Sequence, residues 1–248
     1  MNSLREKELA GQGREPLPAR LQLGCANIAP PGWTNLDGSW NAWLAGHPFL
    51  RRVITVFRVI PAVQLDITWP GNILVHDVRR GLPFSDGSFY AIYASHLLEH
   101  LYFEEARQLL QECFRVLQPG GLLRLVVPDL HTLVQEYLKD LNSGDLSRDC
   151  PADRLCRRLD MRPPQQRKVH FLYRLYSSVK DFHTHKWMYD GESLGRHMSE
   201  AGFVSISRKA YLESAIAGIE EVERRDRFDN HHGICLEGMK PLAPAASR

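Results

Sequence analysis

The stretch from Ile73 to Leu130 constrains this chain most, because it alternates two hydrophobic periods on either side of a helix-breaking turn. Ala91-Ile92-Tyr93-Ala94 and Leu122-Leu123-Arg124-Leu125-Val126-Val127 are short, nearly continuous apolar runs, the form that strands take when a parallel sheet is covered on both faces. Between them Ala106, Leu109, Leu110, Cys113, Phe114 and Leu117 recur at steps of three and four, which predicts a helix with one buried face. Gln118-Pro119-Gly120-Gly121 is predicted to end that helix in a turn, since proline cannot continue a helix and glycine accepts a left-handed cap. Strand, helix and strand joined in this way form a right-handed crossover, so the expected class is α/β with a mostly parallel sheet.

Further elements follow from the same rules. Leu21-Gln22-Leu23 is a minimal first strand leading into Gly24-Cys25-Ala26-Asn27, and Trp33-Thr34-Asn35-Leu36-Asp37 reads as a second strand ending in an acid. A helix is predicted from Leu130 to about Leu141, and another from Asp190, its cap, to Gly202. Ile206 to Tyr211 and Gly233 to Glu237 are read as a final antiparallel pair. The organisation expected is a flexible segment over 1–20, one domain over 21–240 with insertions at about 38–70 and 142–186, and a flexible tail over 241–248.

Composition narrows the function classes. A formal net charge of +2, spread along 248 residues, gives no basic face for nucleic acid. Cys25, Cys113, Cys150, Cys156 and Cys235 are odd in number and lack ligand spacing; they point to a reduced, cytoplasmic setting, with Cys113 plain core. The first residues show no signal peptide, and no run is long enough to span a membrane. Residues 50–60 form a basic amphipathic stretch, read either as a helix over the sheet or as a lid or a contact with an amphiphilic or anionic substrate, with a weak surface or amphiphile contact expected there. His183-Thr184-His185 and His231-His232 lack paired cysteines or helical spacing, and no metal site is expected from them.

Several segments, in order, carry a family resemblance. These are Gly24-Cys25-Ala26 with Pro31-Gly32-Trp33-Thr34-Asn35-Leu36-Asp37, then Asp77 to Leu82-Pro83-Phe84, then Ser88-Phe89-Tyr90, Leu98-Glu99-His100 and Arg115-Val116-Leu117-Gln118-Pro119-Gly120-Gly121. Together they resemble class I S-adenosylmethionine-dependent methyltransferases, the small-molecule branch with a compressed first motif. The resemblance implies a Rossmann-like methyltransferase fold, a mostly parallel seven-stranded sheet with an antiparallel last strand and helices on both faces. It also implies S-adenosyl-L-methionine as cofactor, bound around Gly24, Cys25 and Asn27, with Asp37 on the ribose, Asp77 and Val78 at the adenine, and Ser95 and His96 near the sulfonium.

The reaction implied is methyl transfer to a small molecule or saccharide, at oxygen. An oxygen that is not acidic needs a base, and histidine suits neutral pH. His96 is the first candidate, with His170, His183 and His185 next; Asp129 either orients substrate or caps the helix after it. Two other readings stand beside this one: a non-catalytic cofactor-binding protein, suggested by Gln22, Ala26 and Tyr90 at positions where the family carries other residues, and an enzyme of this fold using the cofactor for another reaction. Neither the acceptor nor the oligomeric state is written in the sequence.

Overall fold

In the computed structural model, residues 19–47, 49–50, 52, 69–143, 150–160, 184–229 and 233–242 are described. Most of the 38–70 and 142–186 insertions, residues 53–60 of the basic stretch, His170, His183, His231, His232 and both terminal segments therefore lie largely or wholly outside the described residues.

Seven strands form one sheet: β1 (Arg20–Leu23), β2 (Thr34–Asp37), β3 (Ile73–Val75), β4 (Phe89–Ser95), β5 (Leu117–Pro128), β6 (Val204–Arg208) and β7 (Gly233–Met239). Their spatial order is β3-β2-β1-β4-β5-β7-β6. The ladders from β3 through β5 are parallel, and β7 runs antiparallel to both β5 and β6. The order reverses beside β1, so the carboxyl ends of β1, β2 and β4 border one crevice, where open α/β sheets bind ligands.

Among the described residues the helices are α1 (Trp40–Ala45), α2 (Phe103–Val116), α3 (Leu130–Ser143), α4 (Pro151–Arg158), α5 (Gly191–Glu200) and α6 (Arg225–Asp229). Helix α2 buries Ala106, Leu109, Leu110, Cys113 and Val116, the face its periodicity required. They meet Leu21, Leu23, Ile92, Leu123, Leu125 and Val127 from one side of the sheet. Burial of such side chains contributes about 1.5–3 kcal/mol each.

The end of α2 differs from expectation. Leu117 is already extended and pairs with Phe89, so Gln118-Pro119-Gly120-Gly121 is the irregular head of β5 and not a free turn. Gly120 adopts φ +80°, and its N–H donates to the Lys240 carbonyl, drawing this segment into the sheet. Lys240 Nζ in turn donates to the carbonyls of Phe114 (2.7 Å) and Leu117 (2.6 Å), a cation on the helix's negative end.

Alternate residues of β5 face the opposite layer, and one of them is Arg124. Its five N–H groups are all engaged: Nε and Nη2 on Glu223 (2.8 and 2.9 Å), Nη2 also on the Ala210 carbonyl (2.9 Å), and Nη1 on the Glu213 carbonyl (2.8 Å) and Glu237 (3.4 Å). Arg124 and Glu223 are both fully buried. An arginine inside an apolar strand is thus the staple that holds the segment 210–223 under β5 and β7, next to Trp33, Tyr93, Val126 and Cys235.

Candidate functional site

The crevice is built from three strand ends. After β1, Gly24 (φ +63°) and Ala26 (φ +49°) both take the left-handed conformation, which turns the chain sharply. Ala26 N–H donates to Asp37 Oδ2 and Ser39 N–H to Asp37 Oδ1, each at 2.8 Å. One carboxylate therefore fixes the turns that follow β1 and β2. Gly38 permits the close approach of the neighbouring strand end: a Cβ there would lie 2.8 Å from the His76 carbonyl.

Beyond Asp37 lies a cleft of about 220 Å³ lined by Gly38, Ser39, Trp40, Trp43, His76 and Asp77 among others. The Trp40 and Trp43 rings stack at 4.5 Å, an aromatic wall the sequence reading did not single out. The Trp40–Trp43 spacing is the signal that could have found it, because residues three apart on a helix share a face. Asp77 caps the 3₁₀ turn Val78–Arg80 and binds the Arg79 guanidinium through both oxygens, at 2.9 and 2.6 Å. The Arg79 hydrogen bonds hold its carboxyl below the usual range. Val78 is buried beside it, and Asn27 is exposed on the first turn. Cys25 is buried, and burial followed by the Asp37 charge pushes its thiol up to about 12, which excludes a thiolate nucleophile.

At the end of β4, Ser95 is buried and His96 takes φ +52°. His96 Nδ1 lies 2.9 Å from Glu99 Oε1 and Nε2 lies 2.7 Å from the Arg227 carbonyl. Both partners only accept, so both ring nitrogens donate and the ring is an imidazolium. Burial is the largest single influence and opposes that charge, but the bond to Glu99, the Glu99 charge and the Arg227 carbonyl together raise the histidine's pKa; the His96 bond with the charges of His96 and His100, again against burial, lowers that of Glu99. Arg227, in α6, also reaches the Ser95 carbonyl with Nη1 at 3.4 Å. In this arrangement His96 has no lone pair to act as the base expected of it.

Glu99, in the 3₁₀ turn Leu98–His100, joins two distant parts of the chain. Its carbonyl accepts the N–H groups of Lys186 (2.7 Å) and Trp187 (3.3 Å), and this brings His185 beside His100 with ring centroids 5.0 Å apart. Burial, foremost, lowers the His100 pKa. The sequence predictions thus divide. His185 joins Glu99 and His100, whereas Asp129 lies at the end of β5, nearly fully buried, with Oδ1 on the His131 N–H (3.0 Å) and Oδ2 on the Thr132 hydroxyl (2.9 Å). Of its two readings, this geometry is the helix cap for α3.

The strand order with β7 reversed between β5 and β6 is the methyltransferase variant of the doubly wound sheet, and a family model described as a methyltransferase domain matches residues 56–125, from ahead of β3 into β5. Over those residues the chain is similar to a methyltransferase domain. Among solved structures, this chain is similar to a SAM-dependent methyltransferase from Methanosarcina mazei (17% identity, 91% of this chain and 93% of that one, TM-score 0.45). It is also similar to one from Thermotoga maritima (16% identity, 90% and 82%, TM-score 0.44). A third is a phosphoethanolamine N-methyltransferase from Haemonchus contortus (12% identity, 91% and 49%, TM-score 0.43). Comparison with curated proteins gives no match. Among the described residues of this chain, no helix is long and apolar enough to cross a membrane.

Proposed function

We propose that this chain is a methyltransferase that binds S-adenosyl-L-methionine in the β1–β2–β4 crevice and methylates an oxygen of a small molecule or saccharide. The observation that carries the reading is Asp37. Each of its oxygens takes one backbone N–H from the left-handed turn and from α1, and each keeps a second lone pair. Two adjacent acceptors at the end of the second strand suit a ribose diol, and the turn Gly24–Ala26 lets backbone approach the rest of the cofactor. The residues present therefore fit the group. Since the Asp77 carboxylate is already held by Arg79, adenine recognition falls to the Trp40–Trp43 wall and the Val78 backbone.

When bound, the cofactor supplies an electrophilic methyl group for in-line displacement; the chain aligns the acceptor and excludes water. Ser95 and His96 border the crevice, and the imidazolium of His96 braces the strand end against α6 without taking a proton. Removal of the hydroxyl proton is assigned to the Glu99–His100–His185 cluster. Choice of oxygen over nitrogen rests on the need for such basic groups, which an already nucleophilic amine does not share.

Thermal unfolding with S-adenosylmethionine or S-adenosylhomocysteine tests the site. At about a hundred times its dissociation constant, ligand adds about 2.7 kcal/mol, or a rise of about 5 °C for a chain of this size. Asp37→Ala should abolish the shift, and Asp37→Asn, which keeps one acceptor for the turn, should reduce it. An undiminished shift in both overturns the assignment. A panel of saccharide and phenolic acceptors, read by release of S-adenosylhomocysteine and by product mass, tests the oxygen chemistry; methylation confined to amines would sink it.

A further inference from the structure

Three side chains from two segments eighty-odd residues apart converge behind His96. Glu99 is completely buried. Its Oε1 accepts from His96, while Oε2 is equally buried and has no hydrogen-bond partner among the described residues. A buried carboxylate oxygen without a donor is costly to desolvate and calls for a cation. His185 Nδ1 is also buried without a partner. One donor atom from each of Glu99, His100 and His185 lies within 4.8 Å of the other two.

We propose that Glu99, His100 and His185 form a binding site for a divalent transition metal of the zinc class. Two imidazoles and one carboxylate suit zinc, cobalt, nickel or iron(II), and three protein ligands leave a position open for an oxygen ligand. The tautomers agree. His100 Nδ1 lies 3.3 Å from the Thr184 carbonyl, so Nδ1 carries the proton and the lone pair sits on Nε2. Donation of the second ring nitrogen to a backbone carbonyl is the usual outer bond of a ligating histidine. Glu99 is oriented likewise, its non-ligating oxygen pinned by His96.

Metal bonds of about 2.0–2.1 Å require donors about 3.3 Å apart in a tetrahedron, so the cluster closes by small side-chain rotations. The nearby Lys186 ammonium is held on the His100 carbonyl at 2.9 Å, with the Tyr102 ring beneath it. That places its charge on backbone and not between the three donors. No sequence motif announced the site, because its ligands are Glu99-His100 and a single histidine far downstream, whose approach depends on the Glu99 carbonyl binding the Lys186 and Trp187 N–H groups.

Metal binding stands independently of the proposed function, while its catalytic use rests on it. With a metal bound the three side chains would act on the hydroxyl through the ion rather than as free bases, an acceptor hydroxyl in the open position having its pKa lowered and giving its proton to water. The test uses the tag-free full chain, stripped with a chelator and titrated with Co²⁺ by visible absorption, with bound Zn²⁺ counted by mass spectrometry. One ion per chain is expected. His185→Ala and Glu99→Gln should weaken binding by more than about 100-fold, beyond what outer partners alone contribute. His197→Ala, outside the cluster, should leave it unchanged. The cofactor-induced thermal shift should persist in His185→Ala, both verifying the fold and separating this site from the cofactor site. Absence of a stoichiometric ion, or affinity retained in both His185→Ala and His100→Gln, overturns the proposal.

Discussion

Replacing Glu223 with alanine would leave the Arg124 guanidinium buried without its main counter-charge. In the intact protein both side chains are fully buried, and Glu223 takes Nε and Nη2 of Arg124 at 2.8 and 2.9 Å while Oε2 also accepts the Leu212 N–H at 2.6 Å. Burial by itself would lower the arginine's pKa, but the Glu223 hydrogen bond and the surrounding negative charges, Glu223 and Glu237 among them, together raise it. Glu237 at 3.4 Å is already shared with the Ser214 hydroxyl and cannot replace the lost fork. Breaking a buried pair by removing one partner costs about 3–5 kcal/mol. At about 2 °C per kcal/mol for a chain this long, Tm should fall by about 6–10 °C. Urea unfolding followed by circular dichroism gives the free energy, and calorimetry gives Tm. The Arg124→Met/Glu223→Ala double variant should lose at least about 1 kcal/mol less than the sum of the singles, because it removes the orphaned charge. A Glu223→Ala loss under about 1 kcal/mol, the size of an exposed ion pair, or simple additivity in the cycle would refute the staple.

Gly38→Ala would place a Cβ 2.8 Å from the His76 carbonyl and 3.2 Å from the Asp77 Cα, both backbone; a stability loss of about 1–3 kcal/mol is expected from overpacking, read by urea unfolding. Lys240→Met removes the cation from the end of α2 and should cost about 1 kcal/mol, with unfolding unchanged in 1 M salt counting against a charge effect. Asp190 accepts the Ser193 N–H at 2.8 Å as the cap of α5, and that bond lowers its carboxyl's pKa. A carboxylate with a depressed folded-state pKa contributes above its unfolded value of about 3.9 and loses the contribution as pH falls through the folded value. Asp190→Ala should therefore cost about 1 kcal/mol at pH 7 and progressively less below pH 4, measured by urea unfolding across pH.

Local periodicity determined much of this protein. The buried runs of β4 and β5, the five-residue face of α2, the Asp190 cap and the acid ending β2 are each set by residues within a few positions of one another, where steric preference and hydrophobic spacing act directly. The turn after β1 and the strand ends around it were legible for the same reason, since turns and strand ends are local. Tertiary structure decided the rest. Nothing adjacent in the sequence accounts for the charge of Arg124 within an apolar strand; its partners Glu223 and Glu237 come from the far end of the chain. Pro119-Gly120-Gly121 became strand through Lys240, and His96 lost its availability as a base to the carbonyl of Arg227. His185 acquired its partners only through the Glu99 carbonyl. The common cause is that the protonation and role of a polar side chain depend on which groups surround it after burial, and groups separated by about a hundred residues leave no periodic trace in the sequence.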